Sequence, residues 1–204
     1  MSRKDHWENI YSTKAIDGVS WYQKSPTTSL DIIDSLNLDL NKAIIDIGAG
    51  KSFLPDNLLE LGYNDITIVD ISGNALKEVK ERVEGNNYKI NCIESNITDL
   101  SLDNQYDLWH DRAVFHFITD IHERNKYLKL LNNCVKKDGY VIIGTFAEDG
   151  PLKCSGLEVH RYSVSELAEL LKENFELING FKEIHNTPFK TEQSFTFCSF
   201  KKIK

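Results

Sequence analysis

A short apolar run that breaks into glycines constrains the fold of this chain more than any other feature. Residues 44–47, Ile-Ile-Asp-Ile, lead directly into Gly-Ala-Gly at residues 48–50, and glycines there let the backbone turn sharply and approach a ligand closely. The next apolar run, residues 66–69, also ends on a carboxylate, Asp70. The pairing predicts two parallel strands that each end at a ligand-binding turn. It indicates a cofactor that contains a nucleoside, with Asp70 near the ribose hydroxyls.

Phe53 separates two classes of cofactor that use such a turn. A dinucleotide-binding turn of the form G-x-G-x-x-G/A needs a small third residue so that the helix packs closely on the strand. The bulky Phe53 therefore disfavours a pyrophosphate and a dinucleotide-dependent oxidoreductase. S-adenosylmethionine has no phosphate, and Asp46 would attract its cationic sulfonium and amino groups. The competing interpretation is structural, because acidic residues also cap helices such as those that follow Asp46 and Asp70.

The length and the charge favour one domain with a small or basic partner. At 204 residues the chain is long enough to bury a substantial core and short enough to be a single domain. Its 24 basic and 31 acidic side chains give a formal charge of -7. This balance disfavours extensive contact with nucleic acid or with an anionic membrane surface.

The cysteines and the N-terminus predict a cytoplasmic protein without a metal site. Cys92, Cys134, Cys154 and Cys198 lie far apart and form no C-x-x-C pair, so neither a zinc site nor a disulfide framework is expected. The first residues turn polar at once, and no run approaches the roughly 20 apolar residues of a membrane span.

Apolar runs that alternate with helical periodicity predict βαβ units and a mainly parallel sheet. The pattern changes after Gly150-Pro151, where a helix with a capping sequence at Ser163 precedes two strands. A short connection joins these strands, which predicts an antiparallel pair. The predicted strands are residues 43–47, 66–70, 88–93, 106–110, 139–146, 175–184 and 193–202, and the predicted helices are residues 54–61, 74–83, 122–135 and 163–174.

This order of elements resembles the class I S-adenosylmethionine-dependent methyltransferases over residues 40–204. The resemblance implies an α/β, Rossmann-like, doubly wound fold whose seven-stranded, mostly parallel sheet ends in an antiparallel C-terminal hairpin. It implies a single domain over residues 1–204, with an N-terminal helical cap at residues 1–40 and a Rossmann-like core at residues 41–204. It also implies S-adenosylmethionine as the cofactor and methyl transfer as the activity.

The same resemblance assigns the cofactor residues. It implies that Asp46 orients the methionine moiety through its amino group, that Asp70 accepts hydrogen bonds from both ribose hydroxyls, and that Asn96 borders the adenine. Members of the family often carry aspartate where Asn96 stands, although an amide can also pair with the adenine edge. A plain turn is the alternative for this segment. The cofactor-binding set is Asp46, Gly48, Gly50, Asp70, Ile71, Asn96 and Ile97.

The segment after the fourth strand is the candidate catalytic region, because ligands of open α/β sheets lie beyond the carboxyl ends of the strands. Residues 109–117 concentrate imidazoles, a carboxylate, a guanidinium and aromatic rings, which suit the binding and deprotonation of a small nucleophile. The segment resembles the corresponding region of thiopurine methyltransferase-like small-molecule methyltransferases. The catalytic candidates are His110, Asp111 and His116. An ion pair between Asp111 and Arg112 and a packing role for His116 are the structural alternatives.

Two further segments are candidates to close the site. Aromatic residues near the N-terminus precede the first strand, where members of the family often carry a helical lid, and their ring faces could cover the sulfonium. Alternatively, these rings form the core of a helical layer. The long segment after the fifth strand carries a thiol, an imidazole and a guanidinium, and its alternative is a surface loop. The substrate-binding candidates are Trp21, Tyr22, Arg112, Cys154 and Arg161.

The leading hypothesis is a cytoplasmic methyltransferase that acts on a small molecule by in-line transfer, mostly through positioning and deprotonation of the nucleophile. A protein-lysine methyltransferase of the same fold is the alternative. Residues 7–11 resemble the opening of some protein-lysine methyltransferases, and an acidic protein attracts basic partners. A non-catalytic cofactor-binding module is the third interpretation. The residues leave the accepting atom open among sulfur, nitrogen, oxygen and carbon.

Overall fold

The computed structural model describes residues 2–204, and the chain folds as two compact units, one that ends at Leu100 and one that begins at Ser101. In the first unit the elements are α1 (Arg3–Thr13), α2 (Thr27–Ser35), β1 (Ala43–Ile47), α3 (Leu54–Glu60), β2 (Asp65–Asp70), α4 (Gly73–Gly85) and β3 (Asn91–Glu94). In the second unit they are β4 (Tyr106–Arg112), a 3-10 turn (Phe115–Phe117), α5 (Ile121–Cys134), β5 (Val135–Phe146), β6 (Lys153–Cys154), β7 (Leu157–Glu158), α6 (Val164–Leu171), β8 (Phe175–Asn186) and β9 (Glu192–Lys202).

The main sheet has seven strands in the order β3-β2-β1-β4-β5-β9-β8. Strand β2 is parallel to β1 and to β3, and β4 is parallel to β5, whereas β9 is antiparallel to both β5 and β8. A strand order that runs outward in both directions from β1 is that of a doubly wound fold. The α/β class, the mostly parallel seven-stranded sheet and the antiparallel C-terminal hairpin predicted from the sequence are confirmed.

The sequence explains why the first unit forms its strands and helices where it does. All five residues of β1 are buried, as expected for a parallel strand that is covered on both faces. Helix α4 begins after Ser72, whose Oγ accepts a hydrogen bond from the N–H of Ala75 at 3.2 Å. The residue at the cap position of α3 is Phe53, without a side-chain hydrogen bond. The helices that follow Asp46 and Asp70 therefore have other residues at their cap positions.

Strand β5 is longer than predicted. Residues 136–139, Lys-Lys-Asp-Gly, have the composition of a turn, but the structure places them inside the strand as an irregularity. The pairing with β4 moves from Tyr106 opposite Val135 to Leu108 opposite Tyr140. Asp138 adopts a φ of 63°, which lets the extra residues bulge out while the strand continues.

Smaller differences are a short hairpin that was not predicted and shifted ends of two elements. The segment after β5 contains the hairpin of β6 and β7, in which Ser155 and Gly156 have φ values of 50° and 81°. Two left-handed residues are what a tight two-residue hairpin turn needs, but strands this short leave no periodic signal in a sequence. Strand β3 starts at Asn91 rather than at residue 88, and α6 ends at Leu171 rather than at residue 174.

None of the helices formed by residues 2–204 combines the length and the apolar character that a membrane crossing requires. Within the part of the chain that the structure describes, Cys92, Cys134, Cys154 and Cys198 are not joined by disulfide bonds.

Candidate functional site

The turn after β1 is shaped by its glycines. Gly48 and Gly50 have φ values of 62° and 53°, a backbone region that strains any residue with a side chain. A Cβ atom added to Gly50 would overlap the hydroxyl of Tyr11. The N–H of Gly50 donates to Oδ2 of Asp70 at 2.8 Å, and the N–H of Ala49 donates to the carbonyl of Val69 at 3.0 Å. The turn thus carries no side chain larger than the methyl group of Ala49, is covered at Gly50 by Tyr11 and is tied to the end of β2.

Asp70 is held by backbone groups on both of its oxygens. The carboxylate is only 5% exposed, and Oδ1 accepts from the N–H of Ser72 at 2.8 Å while Oδ2 accepts from Gly50. Burial raises the pKa of Asp70 to about 6, the two hydrogen bonds oppose this shift, and the charges of Asp46 and Glu8 add to it. A carboxylate has about four acceptor positions, so about two remain for hydroxyl donors. This geometry fits a ribose diol.

Asp46 supplies a second buried carboxylate, 3% exposed, within β1. Its charge acts on Asp70, so the two groups repel each other in a region from which water is largely excluded. A cationic ligand relieves such repulsion. The chemistry of this pair therefore fits the sulfonium and amino groups of S-adenosylmethionine better than a phosphate.

Helix α1 reaches the ends of all three strands of the first unit from one of its faces. Lys4 forms an ion pair with Glu94 at the end of β3. Glu8 accepts hydrogen bonds at the start of α4, from the hydroxyl of Ser72 and from the N–H of Gly73, both at 2.8 Å. Tyr11 lies over Gly50. Glu8 was not among the predicted site residues, although the spacing of Lys4, Glu8 and Tyr11 along one helical face is the signal that could have revealed it.

The N-terminal aromatic residues divide between two clusters. Trp7 stacks on Tyr11 with ring centres 5.9 Å apart, and Trp21 packs edge-on against Trp7 at 5.9 Å. Tyr22 instead packs edge-on against Phe53 at 6.1 Å, next to the glycine turn. The two predicted substrate-binding rings of this region, Trp21 and Tyr22, therefore belong to different clusters of the first unit.

The predicted adenine-binding residues follow β3. Asn96 donates through Nδ2 to Thr98 Oγ1 and to Asp99 Oδ2, both at 2.9 Å, so its amide takes part in local turn chemistry. Ile97 is 8% exposed, and Ile71, which follows Asp70, is half-buried.

In the second unit, Asp111 is the centre of a buried hydrogen-bond network. Its Oδ1 accepts from the N–H groups of Val114 and Phe115 at 3.1 and 3.2 Å, and its Oδ2 accepts from the hydroxyl of Tyr127 at 2.7 Å. The same hydroxyl accepts from Nε1 of Trp109 at 3.0 Å. Burial raises the pKa of Asp111 to about 6 against the effect of these hydrogen bonds. The network fixes the turn that leaves β4.

The imidazole of His116 is buried and oriented. Its Nδ1 accepts from the N–H of Phe146 at 3.2 Å, and its Nε2 has no hydrogen-bond partner among residues 2–204. Burial first, and then the charge of Arg112, lower the pKa of His116 to about 3. A neutral imidazole whose Nδ1 is an acceptor carries its proton on Nε2. His116 therefore presents a buried donor, and buried donors without partners are rare in proteins.

The other predicted residues of the second unit have different surroundings. His110 is 2% exposed within β4, and the guanidinium of Arg112 lies over the ring of Phe195 at 5.1 Å. Arg161 donates to the carbonyl of Gly150 at 3.3 Å.

The segment around Arg161 is attached to the His116 region. The N–H of His160 donates to the carbonyl of His116 at 2.8 Å, and that of Tyr162 donates to the carbonyl of Phe146 at 2.9 Å. Cys154 is buried in the hairpin of β6 and β7. Among residues 2–204, no three His, Cys, Asp or Glu side chains are grouped so that they could hold a metal ion.

Comparisons with known proteins identify a domain in this chain. Residues 45–143 match the family model of a methyltransferase domain. The bovine (Bos taurus) eEF1A lysine and N-terminal methyltransferase is 24% identical over 142 residues, which are 68% of this chain but only 20% of that protein's length. The ubiquinone biosynthesis O-methyltransferase of Rickettsia bellii is 28% identical over 102 residues, covering 50% of this chain and 41% of that one.

A solved structure shows the same fold over nearly the whole chain. The 1,6-didemethyltoxoflavin-N1-methyltransferase of Burkholderia thailandensis, with bound 1,6-didemethyltoxoflavin and S-adenosylhomocysteine, has a TM-score of 0.70 at 18% identity, covering 96% of this chain and 82% of that one. The domain match and the order of the strands agree: residues 45–143 of this chain form a methyltransferase domain, set in a sheet that has the fold of the S-adenosylmethionine-dependent methyltransferases.

Proposed function

We propose that the protein transfers the methyl group of S-adenosylmethionine to a small molecule by in-line displacement. The observation that carries the proposal is the glycine turn bonded to the buried carboxylate of Asp70 through Gly50 at 2.8 Å, with a second buried carboxylate, Asp46, acting on it. We further propose that residues 1–204 work as one methyltransferase domain with residues 1–40 as its cap. We also propose a cytoplasmic location, where thiols stay reduced, because the four cysteines lie far apart in the sequence and form no C-x-x-C pair.

We assign the parts of the cofactor to residues of the first unit. Asp70 would accept the ribose hydroxyls, Asp46 would attract the amino group, and the turn at Gly48 and Gly50 would leave room for the backbone to approach the methionine moiety. Ile71, Asn96 and Ile97 would border the adenine. When bound, S-adenosylmethionine supplies an electrophilic methyl group and a neutral thioether as the leaving group.

The role of the protein's own groups is then to position the acceptor and to manage its proton, since a neutral leaving group needs no acid. We assign His116 the role of hydrogen-bond donor to the acceptor through Nε2, because its Nδ1 is already occupied by Phe146. Asp111 positions the turn that carries His116, and His110 is the candidate base for acceptors that must lose a proton. Trp21, Tyr22, Arg112, Cys154 and Arg161 remain the proposed substrate-binding residues.

Titration calorimetry with S-adenosylmethionine tests the cofactor assignment. We expect binding at submillimolar cofactor, and we expect Asp70→Ala to abolish it. Asp65→Ala removes an exposed carboxylate from the other end of β2 and serves as the matched control. Undiminished binding by Asp70→Ala, or no binding by the unaltered protein, would refute the assignment.

Transfer of a labelled methyl group into a cell lysate tests the class of substrate. A small-molecule enzyme puts the label into the low-molecular-weight fraction. The second candidate, a protein-lysine methyltransferase, is favoured by the similarity to the bovine lysine and N-terminal methyltransferase and by the formal charge of -7, which suits a basic partner. It predicts label in a protein band instead. Cofactor binding without any transfer would point to a non-catalytic module.

A further inference from the structure

We propose that Glu8 of α1 is a positioning residue of the cofactor site and that its charge biases this site toward S-adenosylmethionine over S-adenosylhomocysteine. The inference rests on the proposed function. Ser72 donates hydrogen bonds to both Glu8 and Asp70: its hydroxyl donates to Oε2 of Glu8 at 2.8 Å, and its N–H donates to Oδ1 of Asp70 at 2.8 Å.

These contacts fix the turn between β2 and α4 from both sides. The oxygen of the Ser72 hydroxyl also accepts from the N–H of Ala75 at 3.2 Å, so the hydroxyl proton points toward Glu8. The second oxygen of Glu8 accepts from the N–H of Gly73 at 2.8 Å. Because Ser72 is held in this way, the oxygen of Asp70 that it contacts is held as well. The orientation of the proposed ribose acceptor therefore depends on a residue of another helix.

The charge of Glu8 completes a group of three carboxylates. Asp46 and Glu8 both act electrostatically on Asp70, and Asp46 and Asp70 are 3% and 5% exposed, so solvent screens their interactions weakly. The two forms of the cofactor share a nucleoside, an ammonium and a carboxylate, and they differ by the positive charge on sulfur. Contacts to the shared parts cancel in the ratio of the two affinities. What remains in this ratio is the effect of the negative charges on the sulfonium.

A simpler role for Glu8 is to cap α4, since a carboxylate at a helix N-terminus is stabilising in itself. That role predicts a different result. Removing the charge would then weaken the helix and lower the affinity for both forms of the cofactor by the same factor. The ratio of affinities separates the two roles, whereas either affinity alone does not.

Titration calorimetry with both forms of the cofactor tests the inference on three variants. Glu8→Gln removes the charge and keeps a hydrogen-bonding side chain of the same length. We expect its preference for S-adenosylmethionine to fall by about fivefold, equivalent to about 1 kcal/mol. Glu8→Asp keeps the charge and should keep the ratio. Ser72→Ala keeps all three carboxylates and should lower both affinities equally. The control is Glu81→Gln, an exposed carboxylate paired with Lys77 farther along α4.

The outcomes distinguish this inference from the proposed function. If the unaltered protein binds neither form, the proposed function fails and this inference fails with it. If the unaltered protein binds both forms and Glu8→Gln leaves the ratio unchanged, only the role of Glu8 is refuted. A ratio that changes in Ser72→Ala or in Glu81→Gln would equally contradict the role of Glu8, because both variants keep the charges of the three carboxylates. If Glu8→Gln does not fold, a ratio altered in Glu8→Asp refutes the role.

Discussion

Replacing Asp70 by asparagine should change how the stability of the protein depends on pH, and it should lower the affinity for the cofactor. The folded protein holds Asp70 with a pKa of about 6, raised from 3.8 mainly by burial. A carboxyl whose pKa is raised by folding favours the folded state at low pH, and this contribution is lost as the pH rises from its unfolded pKa through its folded one. Asparagine does not titrate, so the variant does not lose this part of its unfolding free energy as the pH rises.

The magnitude follows from the two pKa values of Asp70. Between pH 4.5 and pH 7.5, linkage gives a loss of about 2 kcal/mol in the unfolding free energy of the unaltered protein from this one group. The free energy of unfolding by urea, measured for both proteins at both pH values, isolates the contribution of Asp70 together with its coupling to Asp46 and Glu8, because the remaining groups titrate alike in the two proteins. We expect the difference, unaltered protein minus Asp70→Asn, to fall by about 2 kcal/mol over this range.

The affinity of Asp70→Asn for S-adenosylmethionine should fall for a reason that is separate from the change in stability. An amide at this position turns a donor toward the N–H of Gly50 or Ser72 and loses the charge that would accept two ribose hydroxyls. Hydrogen bonds to charged groups contribute about 1.5–3 kcal/mol each, so we expect at least about a tenfold loss in affinity for S-adenosylmethionine. A stability difference that does not vary with pH would refute the raised pKa. An affinity that is unchanged would refute the role of Asp70 in ribose binding.

Three further predictions concern other groups. The nitrogen chemical shifts of His116 should show a proton on Nε2 and no titration between pH 5 and pH 8, because its pKa is about 3; a titration in this range would contradict the buried, oriented imidazole. Tyr127→Phe leaves the buried carboxylate of Asp111 without one of its donors and should lower the unfolding free energy, measured in urea, by about 1–3 kcal/mol, whereas an unchanged midpoint would argue against the network. Gly50→Ala should lower the unfolding free energy by about 1–2 kcal/mol through the positive φ of this position alone. It should also weaken cofactor binding by displacing Tyr11, and full cofactor affinity in this variant would contradict the close approach of Tyr11 to Gly50.

Local sequence patterns predicted most of the fold, because the parallel strands are short, apolar and separated by helices of regular periodicity. These patterns gave wrong predictions where the same residue types occur both in turns and in strand irregularities, and they missed very short strands. Residues 136–139 have the composition of a turn, but they form an irregularity inside β5, since pairing with β4 outweighs local preference. The hairpin of β6 and β7 was missed because its strands have only two residues each.

Some residues of the candidate site could also be predicted from the sequence, whereas others could not. The glycine turn and Asp70 are adjacent to strands that the pattern predicts, so their proximity followed from the fold. The contact of Glu8 with Ser72 joins residues 64 positions apart. The helical spacing of Lys4, Glu8 and Tyr11 indicates a shared face of α1, but it does not identify Ser72 as the partner. The orientation of His116 depends on the backbone N–H of Phe146, a contact across 30 positions. Which nitrogen carries the proton could therefore be assigned only from the structure.

Helix α1 has a consequence for how the protein folds and fluctuates. It buries only Ile10 and Tyr11, and its polar contacts join residues 64 to 90 positions apart, as in the pairs of Glu8 with Ser72 and Lys4 with Glu94. Such a segment precedes β2 and β3 in the chain and cannot dock until these strands exist. With little apolar burial of its own, it belongs to the part of a protein that opens at the lowest free-energy cost while the sheet stays intact. The amide protons of α1 are therefore expected to exchange with solvent well before those of β1.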